Sequence, residues 1–215
     1  QQYFSCPNQV ISDDVSNHNK FYRGADWMSY APKEFLCCCA GNVHRFLPNY
    51  LARAWMTDDN NGVYATLYGP SVFKTNIDGQ ELNITEITDY PFEHQAKFKI
   101  DCKEPVAFVL YLRSPEWAKA AKITVNGNKT ICPNVNGFLT LKRTFSSQDI
   151  VEVCFTTEVK LIENACGISV KYGPLLYALP IKEKVVIEGL RELNNPEFPH
   201  YSLYPESKWN YGLLL

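Results

Sequence analysis

A mainly β protein, a sandwich of jelly-roll type preceded by a loop and a helix, is the fold this sequence predicts. Three observations predict it. From about residue 63 onward, short alternating segments recur at close intervals, each closed by Gly, Pro, Asn or Asp. One closure is Asn126-Gly127, a strong signal for a two-residue hairpin. Before Thr57 the pattern is different: apolar residues at three- and four-residue steps follow a polar segment with little periodicity.

The bulk properties bound the function. With 215 residues the chain has room for one substantial domain, or one domain and part of another. Its net charge of -2, with 20% charged residues, gives no basic surplus for nucleic acid. No apolar run approaches the ~20 residues that span a membrane. The many tyrosines and phenylalanines suit sheet packing and stacking on sugar rings equally well. Gln1 opens the chain without a charged-then-apolar leader, and Gly212-Leu213-Leu214-Leu215 reads as cut within a strand, so both ends are expected to be artificial.

Residues 1–34 read as loop, with a short strand at Tyr3-Phe4-Ser5. Within them Ser16-Asn17-His18-Asn19 gathers hydrogen-bonding side chains, with Arg23, Asp26 and Trp27 nearby. Asn17 and His18 are candidates for sugar hydroxyls and Trp27 for stacking on a ring face. A solvated loop is the commoner outcome for such a composition.

The stretch from Cys37 to Met56 carries the chemistry. Val43, Phe46, Leu47, Tyr50, Leu51, Ala54 and Trp55 line one face of a predicted helix, and His44, Arg45, Asn49 and Arg53 the other. Asn42 is the expected N-cap, after a tight turn at Gly41, and Pro48 is expected to kink the helix. Cys37, Cys38 and Cys39 then stand at or just before the N-terminus, where the helix dipole favours a thiolate. Three readings stay open on these residues alone. They are buried thiols acting as small hydrophobes, a zinc site that lacks the usual C-x2-C spacing, or an activated nucleophile. Cys6, Cys102, Cys132, Cys154 and Cys166 are single; most are expected in the core, with Cys154 on a strand face. Eight cysteines in a chain this long do not make a disulfide scaffold.

After the turn Asp58-Asp59-Asn60-Asn61-Gly62, strands are expected at 63–68, 72–77, 81–88 and 96–102. The continuous apolar run 106–112 reads as a buried strand. Further strands follow at 138–145, 150–155, 168–172 and 175–179, and the proline-broken segment 194–209 reads as a loop. The turn at 58–62 is the natural boundary between residues 1–57 and 58–215.

The string CCAGNVHRFLPNYLARAWM, followed by GVYATLYGPS, FVLYLRSPEWA, ITVNGN, KYGPLLYALP and WNYGL, resembles the C-terminal half of glycoside hydrolase family 127. These are the β-L-arabinofuranosidase-like enzymes of bacteria. The most specific element is the Cys38-Cys39 pair ahead of Asn42-Val43-His44-Arg45; where family members usually carry two prolines after the pair, this chain has Ala40-Gly41.

The resemblance implies that residues 1–57 end an (α/α)6-barrel catalytic domain and that 58–215 form the β-sandwich behind it. It implies a zinc-dependent retaining hydrolase acting on plant-type glycans, with Cys38 as nucleophile and zinc ligand and Cys39 as a second ligand. Cys37 matches no role. The family's remaining Glu and Cys ligands and its acid/base glutamate have no counterpart here. Glu34 is a weak substitute ligand, because a local Glu-x-x-Cys-Cys-Cys set must bend sharply to surround one ion. Zinc is thus expected in the full-length enzyme, and no turnover in this chain alone. The apolar helix face is expected to be covered by the barrel, by the sandwich or by a second copy of the chain. The glycan-degrading role slightly favours a periplasmic or secreted setting over a cytoplasmic one. The alternative from another class is a non-catalytic carbohydrate-binding or structural sandwich; a redox thiol protein is disfavoured because C-x-x-C is absent.

Overall fold

The computed structural model describes residues 6, 8–16, 20, 24–30, 38–189, 197 and 199–212. Asp26, Gly189 and residues 38–41 and 43 are described by their backbone alone. The chain divides into two compact units, Phe46–Ile162 with Ser169–Tyr177, and Gln1–Arg45 with Glu163–Ile168 and Ala178–Leu215.

The first unit is the sandwich. One sheet holds β1 (Trp55–Thr57), β2 (Gly62–Ala65), β6 (Val106–Arg113), β10 (Phe138–Phe145) and β9 (Asn134–Val135), in that spatial order. The other holds β3 (Ser71–Ile77), β4 (Gln80–Ile87), β5 (Gln95–Cys102), β11 (Ile150–Thr156), β7 (Ala120–Val125) and β8 (Asn128–Thr130). Alternation decides which side chains go inside. Val106, Phe108, Leu110 and Leu112 point inward from β6, and Leu82, Ile84, Phe98, Ile100, Val151 and Val153 from the opposite sheet, all in one core. Each fully buried side chain of this size contributes about 1.5–3 kcal/mol by leaving water.

Turn chemistry fixes the register. Asp78-Gly79, Asn126-Gly127 and Asn136-Gly137 all have both central residues at positive φ, between 51° and 82°. That is the geometry of the two-residue hairpin turn that Asn-Gly and Asp-Gly favour. β2 joins β6 in parallel, Val63 opposite Leu110, and all other pairings described are antiparallel.

A three-stranded ribbon follows, formed by β12 (Val159–Asn164), β13 (Gly167–Tyr172) and β14 (Leu175–Tyr177). In the second unit β15 (Glu183–Gly189) pairs with β16 (His200–Pro205). Bridges from Ser12 to Leu203 and from Tyr30 to Tyr201 tie the N-terminal segment to that hairpin, and the two tyrosine rings stack at 5.3 Å. The segment expected as loop therefore contains a strand. Pro199 and Pro205 sit just outside and at the end of it, where a missing donor costs no ladder bond.

Helix α1 runs over Cys38–Ala54, with Pro48 inside it. Asn42 is thus not its N-cap but lies inside the helix, and Trp55 belongs to β1. Met28 and Ala25 are buried in a single turn of 3-10 helix, Ala25–Met28. Among the single cysteines only Cys102 is buried; Cys6 and Cys132 are half-buried, and Cys154 and Cys166 are exposed. The expectation that most lie in the core is overturned. Cys154 shares the outward parity of Glu152 on β11, and only the intervening Val151, Val153 and Phe155 face the core.

Candidate functional site

Cys38 and Cys39 are the first two residues of α1. No acidic residue stands in that first turn, so the positive end of the helix dipole is not offset by the helix's own carboxylates. A thiol at such a position ionises more readily. The side chains of Cys38 and Cys39 lie outside the described residues, as do Asn17, His18, Cys37 and Glu34 altogether. Trp27 lies half-buried within the Ala25–Met28 turn. His44 and Arg45 are exposed.

The C-terminal half of α1 is held by the sandwich. Its last carbonyls would be orphaned, since no further turn follows to receive them. Thr66 resolves this: its backbone N–H donates to the Ala54 carbonyl at 2.9 Å and its hydroxyl donates to the same oxygen at 3.1 Å and to the Arg53 carbonyl. Tyr50 donates to the Tyr68 carbonyl at 2.9 Å, and Arg53 donates to Asn49 Oδ1 one turn back at 2.8 Å. Trp55 stacks on Phe73 at 5.0 Å and meets Phe98 edge-on. By contrast Phe46, Leu47 and Leu51 are 66%, 58% and 64% exposed, so the sandwich leaves that part of the apolar face of α1 uncovered.

Beneath that junction lies a buried carboxyl. Glu86 occupies an inward position of β4, in parity with Leu82 and Ile84, and is 2% exposed. The Gly69 N–H donates to its Oε1 at 3.1 Å and the Ser71 hydroxyl to its Oε2 at 3.2 Å, while Trp55 Nε1 donates to Ser71 Oγ at 3.0 Å. Burial pushes the carboxyl up to about 7, and the two hydrogen bonds restrain the rise. Burial, with Glu86 nearby, also raises the Tyr50 and Tyr68 hydroxyls. The signal was available: a charged residue on the inward parity of an otherwise apolar strand. Glu86 has no open approach for substrate, and its neighbours make it a tether between β4, the 69–71 turn and the end of α1.

Among the described residues no group of three or more His, Cys, Asp or Glu side chains could hold a metal ion. By donor chemistry, Cys38 and Cys39 suit zinc, but they are two of the four ligands such an ion takes. No zinc site is completed by the described residues. No helix among them is long and apolar enough to cross a membrane.

Residues 62–157 match the family described as β-L-arabinofuranosidase, GH127 middle domain. This segment is similar to the GH127 middle domain. It corresponds to the sandwich from β2 to β11 and begins just after the turn that follows α1 and β1. Solved structures agree on the fold. A GH127 β-L-arabinofuranosidase from Geobacillus stearothermophilus T6 is 19% identical with a TM-score of 0.61, over 83% of this chain and 36% of that one. A structure described as a GH127 β-arabinofuranosidase also has 19% identity and a TM-score of 0.61, over 94% of this chain and 39% of its own. A third, described as a glycoside hydrolase, is 22% identical with a TM-score of 0.59, over 83% and 38%. The chain thus spans somewhat over a third of the length of these relatives. No curated protein matches the sequence.

Proposed function

We propose that this chain is part of a β-L-arabinofuranosidase-like glycoside hydrolase, that Cys38 is its nucleophile, and that the GH127 middle domain supports the helix carrying that residue. The observation that supports the reading is the order of parts: a thiol pair opening α1, and a GH127 middle domain beginning eight residues after α1 ends.

In this reading the Cys38 thiolate attacks the anomeric carbon of a β-linked arabinofuranoside or a related plant-type sugar. The bond to the leaving oxygen breaks, and that oxygen takes a proton from an acid carried outside this chain. Water then cleaves the thioglycosyl link and releases the sugar with its configuration retained. The helix N-terminus favours Cys38 as thiolate before attack and as leaving group in the second step. When bound, zinc would keep the thiols deprotonated at neutral pH; Cys38 and Cys39 are the ligands this chain would supply.

The test uses a longer protein containing this chain and p-nitrophenyl β-L-arabinofuranoside. Cys38→Ser is expected to lower turnover at least a thousandfold with the fold intact, and to lower bound zinc. Undiminished turnover in Cys38→Ser overturns the assignment. The 215-residue chain alone is expected to show no turnover; near-equimolar zinc in it, falling in Cys38→Ser, would bring Glu34 and Cys37 forward as ligands.

A further inference from the structure

The outer face of the six-stranded sheet carries a cleft of about 340 Å³, bounded on one side by the turn after β4. Strand register builds its floor. Ile87 of β4 lies opposite Lys97 of β5, Lys97 opposite Glu152 of β11, and Glu152 opposite Thr124 of β7. All four point outward, so four successive strands contribute one row of side chains. A second row, one pleat further on, is Gln95, Cys154 and Lys122. Neighbours within a row are about 5 Å apart and the rows about 7 Å apart, the scale of one sugar ring.

The floor is preset by its own bonds. Lys97 Nζ lies 2.9 Å from Glu152 Oε1, and the Thr124 hydroxyl donates to Glu152 Oε2 at 3.2 Å. The wall adds Thr88, Asp89 and Glu93. Two ammonium groups against three carboxylates leave no positive surplus for an anion. A cation at the best-placed carboxylate, Glu152, would be repelled by the Lys97 ammonium 2.9 Å from it. An apolar ligand would strand these charges without water. Alternating fixed donors and acceptors instead match a ligand that offers both from every carbon, and a volume above ~300 Å³ is within the range of small-molecule sites.

We propose that this cleft is a binding site for a neutral oligosaccharide, with Lys97 donating to and Glu152 accepting from adjacent hydroxyls and Ile87 packing under the ring. The proposal does not depend on the catalytic reading.

Cys154 supplies the readout, because it is exposed in the floor of the cleft. The whole chain is alkylated with iodoacetamide, with and without arabinotriose, xylotriose or cellotriose, and the Cys154 and Cys166 peptides are quantified. At least one of the sugars is expected to slow modification of Cys154 severalfold while exposed Cys166 reacts unchanged. Lys97→Met and Glu152→Gln, both at solvent-facing positions, are expected to weaken that protection tenfold or more, and Cys38→Ser to leave it intact. Protection by none of the three sugars overturns the proposal. So does protection that survives both cleft variants, or protection by inorganic phosphate in place of sugar. Loss of protection in Cys38→Ser would tie the effect to the thiol pair and also overturn it.

Discussion

Glu86 gives the sharpest quantitative expectation. Its carboxyl is pushed from an ordinary 4.5 up to about 7 by burial inside the sandwich. Because the folded value lies above the unfolded one, the folded protein keeps this proton over a pH range in which the unfolded chain has released it. The stability tied to Glu86 is therefore full below about pH 4.5 and is lost as pH rises through about 7, with the sign opposite to that of a salt-bridged carboxylate. At 1.36 kcal/mol per pH unit, the total is about 3 kcal/mol. Gln at this position keeps the oxygen that accepts from Gly69 and places an amide against Ser71 Oγ, which can accept, so the local geometry survives. Urea unfolding of the wild type and Glu86→Gln, from pH 4.5 to 8.5, isolates the effect as the difference between the two curves. The variant is expected to gain about 3 kcal/mol relative to the wild type across that range, with the steepest change between about pH 5 and 7. A difference that stays flat, or that grows as pH falls, refutes the burial argument.

Other consequences can be checked on the same protein. Thr66→Val removes the hydroxyl that closes α1 while keeping its shape; a loss of about 1 kcal/mol is expected, with faster amide exchange in the last turn of the helix. Phe98→Ala leaves a cavity where Trp55 and Tyr68 meet a fully buried ring, and about 3–5 kcal/mol should be lost in denaturant unfolding. At Gly173, φ is +59° and a Cβ would press on the His94 ring, itself packed between Trp117 and Tyr172 at 4.8 and 5.0 Å. Gly173→Ala is therefore expected to cost about 2 kcal/mol, to lower Tm by about 4–8 °C and to shift Trp117 fluorescence.

Much of this architecture can be read from local pattern. Alternating runs such as 72–77, 81–88 and 138–145 became β3, β4 and β10 with ends moved by a residue, because period-two burial leaves a strong mark. The turns at Asp78-Gly79 and Asn126-Gly127 were legible for a stereochemical reason: those residues tolerate the positive φ observed. The N-terminus of α1 was misplaced because Asn42 is a good cap by type, while Ala40 and Gly41 mark no start; the helix extends one turn further back. Strand β16 was hidden by its flanking prolines, and β12, exposed along its length, buries no face that could stamp a pattern. The site divides in the same way. A thiol pair is visible in any alignment of residue types, and the outward parity of Lys97, Glu152 and Thr124 is visible in their strands. That the three stand in one row is not, because the order β5-β11-β7 is set by tertiary pairing and leaves no local trace.

That order also governs the birth of the domain. β11 is the last strand of its sheet to be synthesised, yet it occupies the place between β5 and β7. From the end of β5 at Cys102 to the end of β11 at Thr156 is 54 residues, roughly 3–11 s of translation at 5–20 residues per second. Throughout that interval β5 presents an unpaired edge, with Phe98 and Ile100 lacking the strand that completes their cover. A ribosome stalled anywhere in this stretch would hold a nascent chain with an open sheet, because the sheet is completed only when β11 emerges.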